Sequence, residues 1–253
     1  MKGLDIFSHS VRQVTNNLPA AIKISGVLYL VQVAAAFVFG GAMMAGEMDP
    51  MSGGGMGLGF GAIVVLLVAL ITGIWIAVAW HRYVLLAEQP SAVLPPPMPD
   101  RMMAYFLRSF LIGLMMVAAG MVLGLVAGLL ARPIMMNGSI VIGMLVMTLL
   151  VQLPLMFVGF RLATSLPGMA LGETHRFMSG WEATKGDWRA ILELSVIMAL
   201  ALWLINMIGF YLFGGMTLLA HIWQLLSGWP VMMVGLSVLT TLYGHYIEKR
   251  PLV

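Results

Sequence analysis

Six stretches of roughly twenty apolar residues recur along the chain, each the length needed to cross a hydrocarbon core about 30 Å thick as a helix. They run from about Ile24 to Met44, Gly61 to Trp80, Phe110 to Ala131, Ser139 to Phe160, Ile191 to Phe213 and Trp229 to Tyr246. Only 9% of the 253 residues are charged and 61% are hydrophobic, whereas a soluble domain carries about 25% charged residues. Side chains of that kind cannot cover a water-exposed surface, which excludes a soluble enzyme, a nucleic-acid-binding domain and a disordered chain. Backbone polar groups in lipid must be paired internally, and an α-helix does this within one segment. The sequence therefore predicts an all-α, polytopic, single-domain membrane protein. Its plan is six transmembrane helices arranged as three hairpins.

The basic residues divide unevenly between the connections. Lys2, Arg12 and Lys23 precede the first span, and Arg82, Arg101 and Arg108 lie between the second and third. Arg161, Arg176, Lys185 and Arg189 lie between the fourth and fifth, and Lys249 and Arg250 follow the sixth. The other side has Arg132 alone, with Glu47 and Asp49 in its first loop. Short loops rich in Lys and Arg stay inside, so the reading is a bacterial inner-membrane protein with both termini in the cytoplasm. The first apolar run begins at Ile24 and has no small-residue cleavage site after it, so a removed signal peptide is not expected.

The basic connections carry amphipathic patterns. Leu4, Phe7, Val11, Val14 and Leu18 recur at three- and four-residue steps, predicting a helix lying in the interface. Similar elements are expected over Met102–Phe110 and Phe177–Trp188. Trp80, Arg82, Tyr83, Trp181, Lys185 and Trp188 read as anchors at the lipid headgroups, where amphipathic rings and long cations sit. Gly186 should break one helix so that another starts at Asp187, a suitable cap. The six glycines between Gly53 and Gly61 predict a loop, and the five prolines between Pro90 and Pro99 a stiff connection. The stretch from Gly214 to Pro230 is too short to span and is expected on the outer surface, with Pro230 opening the sixth helix.

Candidate sites are few. Gly120, Gly124 and Gly128 form a small-residue stripe that lets helix backbones approach, either within one bundle or between copies. The intramembrane polar residues are Gln32, Thr148, Gln152 and Asn206; Gln32 and Gln152 lie at similar depths, within reach of a mutual hydrogen bond worth about 1 kcal/mol. Pro154 should kink the fourth span. Glu193 is expected to form an interfacial ion pair with Arg189 or Arg161, or to act as a gate or headgroup site. Met44, Met48 and Met51 offer soft sulfur suited to Cu(I), although methionine is also plain apolar filler here, with 24 in the chain. Zero cysteines exclude disulfides and thiolate chemistry. No HExxH, GxSxG or phosphate-loop motif is present, and no carboxylate cluster suits a divalent ion. The expectation is a protein that is not an enzyme and takes no cofactor. Its partners would be membrane lipids and other membrane proteins, not nucleic acid.

Three motifs carry a resemblance. Trp80-His81-Arg82-Tyr83 follows the second span, Arg161-Leu162 with Ser165-Leu166-Pro167 follows the fourth, and Trp181-x-x-Thr184-x-Gly186 precedes the fifth. In these the chain resembles a group of uncharacterised six-helix bacterial inner-membrane proteins, related to the membrane domain attached to some glycerophosphoryl diester phosphodiesterases. The resemblance implies the six-helix topology. No catalytic phosphodiesterase domain accompanies it here, so it implies no hydrolase activity.

Two functional readings remain open at this stage. One is a scaffold, accessory subunit or lipid-binding protein; the other is a transporter or channel for a small neutral or lipidic substrate. A polar cavity reaching mid-membrane would favour the second, and a dry, glycine-packed interior the first.

Overall fold

A computed structural model describes residues 1–39, 55–90, 94–136, 140–213 and 217–252. Among them every regular element is helical. The elements are α1 (Lys2–Thr15), α2 (Leu18–Phe39), α3 (Gly55–Leu86), α4 (Pro99–Met136) and α5 (Ile140–Met147). A π-turn over Thr148–Gln152 joins α5 to α6 (Leu153–Ala163), and α7 (Leu166–Leu171) and α8 (Ser179–Ala183) follow. A 3₁₀ turn over Lys185–Asp187 leads into α9 (Trp188–Phe213), and α10 (Thr217–Tyr246) ends the bundle. Six helices are long and apolar enough to cross a membrane. In chain order they are α2, α3, α4, the α5–α7 run, α9 and α10. Successive long helices pack on one another: α2 on α3, α4 on α5, and α9 on α10.

Both termini lie at one end of the bundle. Gly3 near the start of α1 meets Glu193 near the start of α9, and Lys2 pairs with Asp187, which also accepts from Tyr246 at the end of α10. We call this the basic end. The well-packed core sits in this half. One cluster joins Ile74, Tyr105, Leu162 and Ala170; a second joins Ile6, Leu194, Val238 and Leu242; a third joins Val14, Ile24, Trp80 and Met233. Away from the basic end the helices show mostly apolar side chains outward. The apolar stretch of α4 is only 11% buried, against 33% for those of α9 and α10, which makes α4 the most lipid-facing of the three.

Several sequence expectations are corrected. Helix α1 forms as expected, but the side it buries in the bundle is not its Leu4–Phe7–Val11 stripe. Its buried side is Gly3, Ile6, Ser10 and Val14, packed on α9 and α10, while Leu4 is exposed. Small residues in that row let the helix lie close: a Cβ on Gly3 would stand 2.7 Å from Ala190 O, Glu193 Cβ and Leu194 N. The element expected over Met102–Phe110 is not separate but the start of α4, a 38-residue helix. The glycine run is helical from Gly55 onward.

The largest correction concerns the sixth span. No break separates a surface segment from it; α10 is continuous over 30 residues with Pro230 inside. Proline removes a backbone donor and crowds the preceding turn; the carbonyl deprived of its partner here is Leu226 O, four residues back, and polar side chains brace the turn around it. Tyr29 of α2 donates its hydroxyl to Leu225 O at 2.5 Å, and Ser227 Oγ donates to Trp223 O at 2.7 Å. Gly228 leaves room for Tyr29, whose hydroxyl would lie 2.7 Å from a Cβ there. Trp229, expected at the outer boundary, instead donates Nε1 to Ser25 Oγ near the start of α2.

Helix α7 went unpredicted. Leu166 to Ala170 are all buried, wedged among α3, α4 and α10. It closes on Gly172 at φ +93°, whose N–H reaches Gly168 O while the Glu173 N–H reaches the same carbonyl. A left-handed residue at this point is the usual glycine stop of a helix.

A polar seal at the basic end and an uncharged cleft beyond it

At the basic end a layer of polar side chains pairs across α3, α4 and α10. Trp80 is fully buried and donates Nε1 to Ser237 Oγ at 2.9 Å. One turn on, Thr240 spends its hydroxyl proton on Leu236 O, so its oxygen accepts from His81 Nδ1 at 2.8 Å. The other ring nitrogen lies 3.3 Å from the Tyr105 hydroxyl. Donation at one nitrogen and acceptance at the other is the pattern of a neutral imidazole. Ser10 of α1 adds a contact to Thr241 at 3.1 Å. Below this layer Tyr243 donates to Glu173 Oε2 at 2.5 Å, and His175 Nε2 stands 3.0 Å from the same oxygen.

Arg161 ends the sequence's fourth span and is turned inward, only 6% exposed. Its Nε donates to Thr184 Oγ1 at 3.1 Å and its Nη2 to Trp181 O at 3.0 Å, with the guanidinium 3.7 Å from the Trp181 ring centroid. Planar stacking of this kind suits arginine and not lysine. The Arg161 and Trp181-x-x-Thr184 motifs therefore form one joint between α6 and α8.

This arrangement corrects two groups of predicted site residues. The expected ion pair of Arg161, Arg189 and Glu193 does not form among the described residues. Glu193 Oε2 accepts the backbone N–H of Gly3 at 2.9 Å, where an anion suits the free donors at a helix start. Arg189 instead lies over the Trp188 ring at 5.6 Å. Among the expected headgroup anchors, Lys185 and Trp188 are exposed, but Trp80 is fully buried and Tyr83 and Trp181 are partly buried against protein. Tyr83 donates to Asn17 Oδ1 at 2.8 Å. Arg82 pairs with Glu88 and donates to Ala170 O at 3.0 Å. Asp187 precedes α9 as expected, yet its carboxylate is taken by Lys2 and Tyr246.

Beyond the seal the helices part. A cavity of about 480 Å³ lies between the end of α4, α5 with its π-turn, α9 and the first half of α10. Asn206 stands 18 residues into α9, about 27 Å from Trp188 at 1.5 Å per residue, so the cavity belongs to the half opposite the basic end. Its polar lining is Thr148, Gln152, Trp203, Asn206 and Gln224, and among the described residues no charged one lines it. The remainder is apolar, including Met144, Met147 and Met207. Asn206 is exposed toward this space, and its Nδ2 reaches Leu202 O at 2.9 Å. The Trp203 Nε1 is buried and has no acceptor among the described residues. An unpaired buried donor costs about 1–3 kcal/mol, so it marks a place where an acceptor would be welcome.

The π-turn forms one wall. Leu153 N–H reaches back five residues to Thr148 O, and Pro154, which has no N–H, follows at once. The expected kink is thus a local widening of the helix, a feature that recurs at functional sites. It carries Gln152 to the cavity and away from Gln32. The predicted Gln32–Gln152 hydrogen bond is absent: Gln32 Nε2 donates to Thr72 Oγ1 at 2.8 Å, bridging α2 to α3.

Within the bundle the glycine stripe makes a close contact at Gly120 alone. A Cβ on Gly120 would lie 3.4 Å from Leu155, whereas Gly124 and Gly128 have nothing within 4 Å. The bundle buries Ala127 and Ala131 of the same helix instead. Met44, Met48 and Met51 lie outside the described residues. Trp203 and Gln224, missed by sequence reasoning, had one usable signal, a polar atom on an otherwise apolar run.

Comparisons with protein families, curated proteins and solved structures found no match for this chain. Function is accordingly a question for the site itself.

Proposed function

We propose that this protein is a non-enzymatic, multi-pass inner-membrane protein that holds a small uncharged or lipidic molecule in the Gln152–Asn206 cleft. It would serve as a lipid-binding scaffold or accessory subunit. The observation that carries this reading is the unpaired Trp203 indole beside two amides in a cavity without charge. An uncharged amphiphile supplies what those groups lack: an oxygen acceptor for the indole, and a tail compatible with the methionine-rich wall. The interlocked Trp80, His81, Tyr105 and Thr240 side chains support binding over passage, since their hydrogen bonds tie α3, α4 and α10 together beneath the cleft.

The test uses dioctanoylglycerol with bromine on its acyl chains as the probe and tryptophan fluorescence as the readout, with the protein in nanodiscs. Saturable quenching is expected, at least fivefold weaker in Trp203→Phe and tenfold weaker in a Gln152→Leu, Asn206→Leu double variant. Quenching that rises linearly with probe and ignores both variants would defeat the proposal.

A second reading, transport of a small neutral substrate, is favoured by the π-turn over Thr148–Gln152, which interrupts the regular helix at the cleft wall just before Pro154. Flux into proteoliposomes that Gln152→Leu abolishes would favour it over the scaffold.

A further inference from the structure

A second cavity, also about 480 Å³, lies at the basic end between the latter half of α1 and the end of α3. It shares no residue with the cleft. Its polar lining comes from His9, Arg12, Gln13, Asn16, Asn17, Tyr83 and Gln89, and no carboxylate is among the lining residues. The nearby acids are engaged elsewhere: Asp5 faces the chain's amino terminus at 3.8 Å, and Glu88 pairs with Arg82. The Arg12 guanidinium, by contrast, donates to no group among the described residues, and the side chain is exposed.

The wall beside it is braced. Tyr83 donates to Asn17 Oδ1, and Asn17 Nδ2 donates to Gln13 O at 2.8 Å. Gln13 Oε1 is buried and accepts nothing. On the opposite side Ala87 holds φ at 56°, a left-handed conformation that costs a non-glycine residue energy and recurs at ligand sites. That turn ends α3 and brings Gln89 round to line the cavity.

An unpaired guanidinium asks for an anion, and a buried, unpaired amide oxygen asks for a hydroxyl. A cavity walled by α1 and the end of a spanning helix lies at the depth of lipid headgroups, where the abundant anion is a phosphate ester. We propose that this cavity binds a phosphate ester carrying a free hydroxyl, with the phosphate on Arg12 and the hydroxyl donating to Gln13 Oε1. The chemistry fits a polyol headgroup of an anionic lipid and a water-soluble polyol phosphate alike.

Native mass spectrometry of the full chain, released from micelles doped with defined lipids, tests it. Phosphatidylglycerol should be retained at least tenfold over phosphatidylcholine, and threefold over phosphatidylmethanol, which has the same charge and no headgroup hydroxyl. Arg12→Gln should bring phosphatidylglycerol down to the phosphatidylcholine level. Gln13→Leu should equalise phosphatidylglycerol and phosphatidylmethanol while leaving both above phosphatidylcholine. Displacement of phosphatidylglycerol by millimolar glycerol 3-phosphate identifies the soluble ester as a sufficient ligand; no displacement assigns the site to the lipid. Equal retention of all three lipids by the wild type, or phosphatidylglycerol retention indifferent to Arg12→Gln, overturns the proposal. The wild-type lipid comparison decides alone if either variant fails to match the wild-type melting temperature.

Discussion

Gly3 and Glu193 meet where α1 joins the bundle, one acting through the side chain it lacks and the other through the acceptor it carries. The missing Cβ of Gly3 lets the helix rest on the α9 backbone, and the Glu193 carboxylate takes its N–H. Gly3→Ala would push a carbon to within 2.7 Å of three atoms, two of them backbone. Overpacking of that kind typically costs about 1–3 kcal/mol. The expected outcome is a lower melting temperature and faster tryptic cleavage after Arg12. The acceptor matters more than the charge at Glu193, because an amide oxygen can take the same N–H. Glu193→Gln should therefore melt within about 1 °C of wild type. Glu193→Leu should be destabilised by about 1–2 kcal/mol for the lost charge-assisted bond, seen as a lower yield of monodisperse protein in detergent.

At the scale of the element, hydropathy identified the six spans and misjudged where they begin and end. The reason is physical. Apolar length reports the part of a helix that lies in lipid, while the helix itself continues until something stops it. Helix α4 starts at Pro99, eleven residues before its apolar run, because nothing in Met102–Phe110 breaks a helix. Pro230 reads as a helix start because proline is at home there; α10 instead runs through it, with Tyr29 from nearly 200 positions away bonded to the adjoining turn, and no local pattern reveals that partner. The kink at Pro154 was legible, but its form as a π-turn depends on register within the bundle. Restoring the missing N–H tests its role: Pro154→Ala should keep or slightly raise the melting temperature, since one more backbone bond can form. It should weaken brominated-lipid quenching at least fivefold by turning Gln152 away from the cleft. Unchanged quenching would separate the π-turn from the site.

Over the whole molecule, polar and apolar side chains are sorted by depth as well as by face. The basic half combines a dense core with paired polar groups, and the opposite half is looser and holds the cleft. Composition and the 12-to-1 division of basic residues made the membrane class and the basic end legible. The candidate site was legible only in part: Gln152 and Asn206 stood out as polar residues in apolar runs, but their convergence with Trp203 required the packing of three helices. Aromatic residues misled for a related reason. Trp80 and Trp181 lie at the basic end, yet their partners are a serine and an arginine on neighbouring helices. The chain has no cysteine, so single introduced thiols report accessibility against a silent background. The most direct measurement compares maleimide labelling of Asn206→Cys and Ser237→Cys in intact proteoliposomes. With the small, membrane-permeant N-ethylmaleimide, Asn206→Cys should label at least tenfold faster, and bound dioctanoylglycerol should slow it. Comparable rates at the two positions would contradict a sealed polar end beneath an open, uncharged cleft.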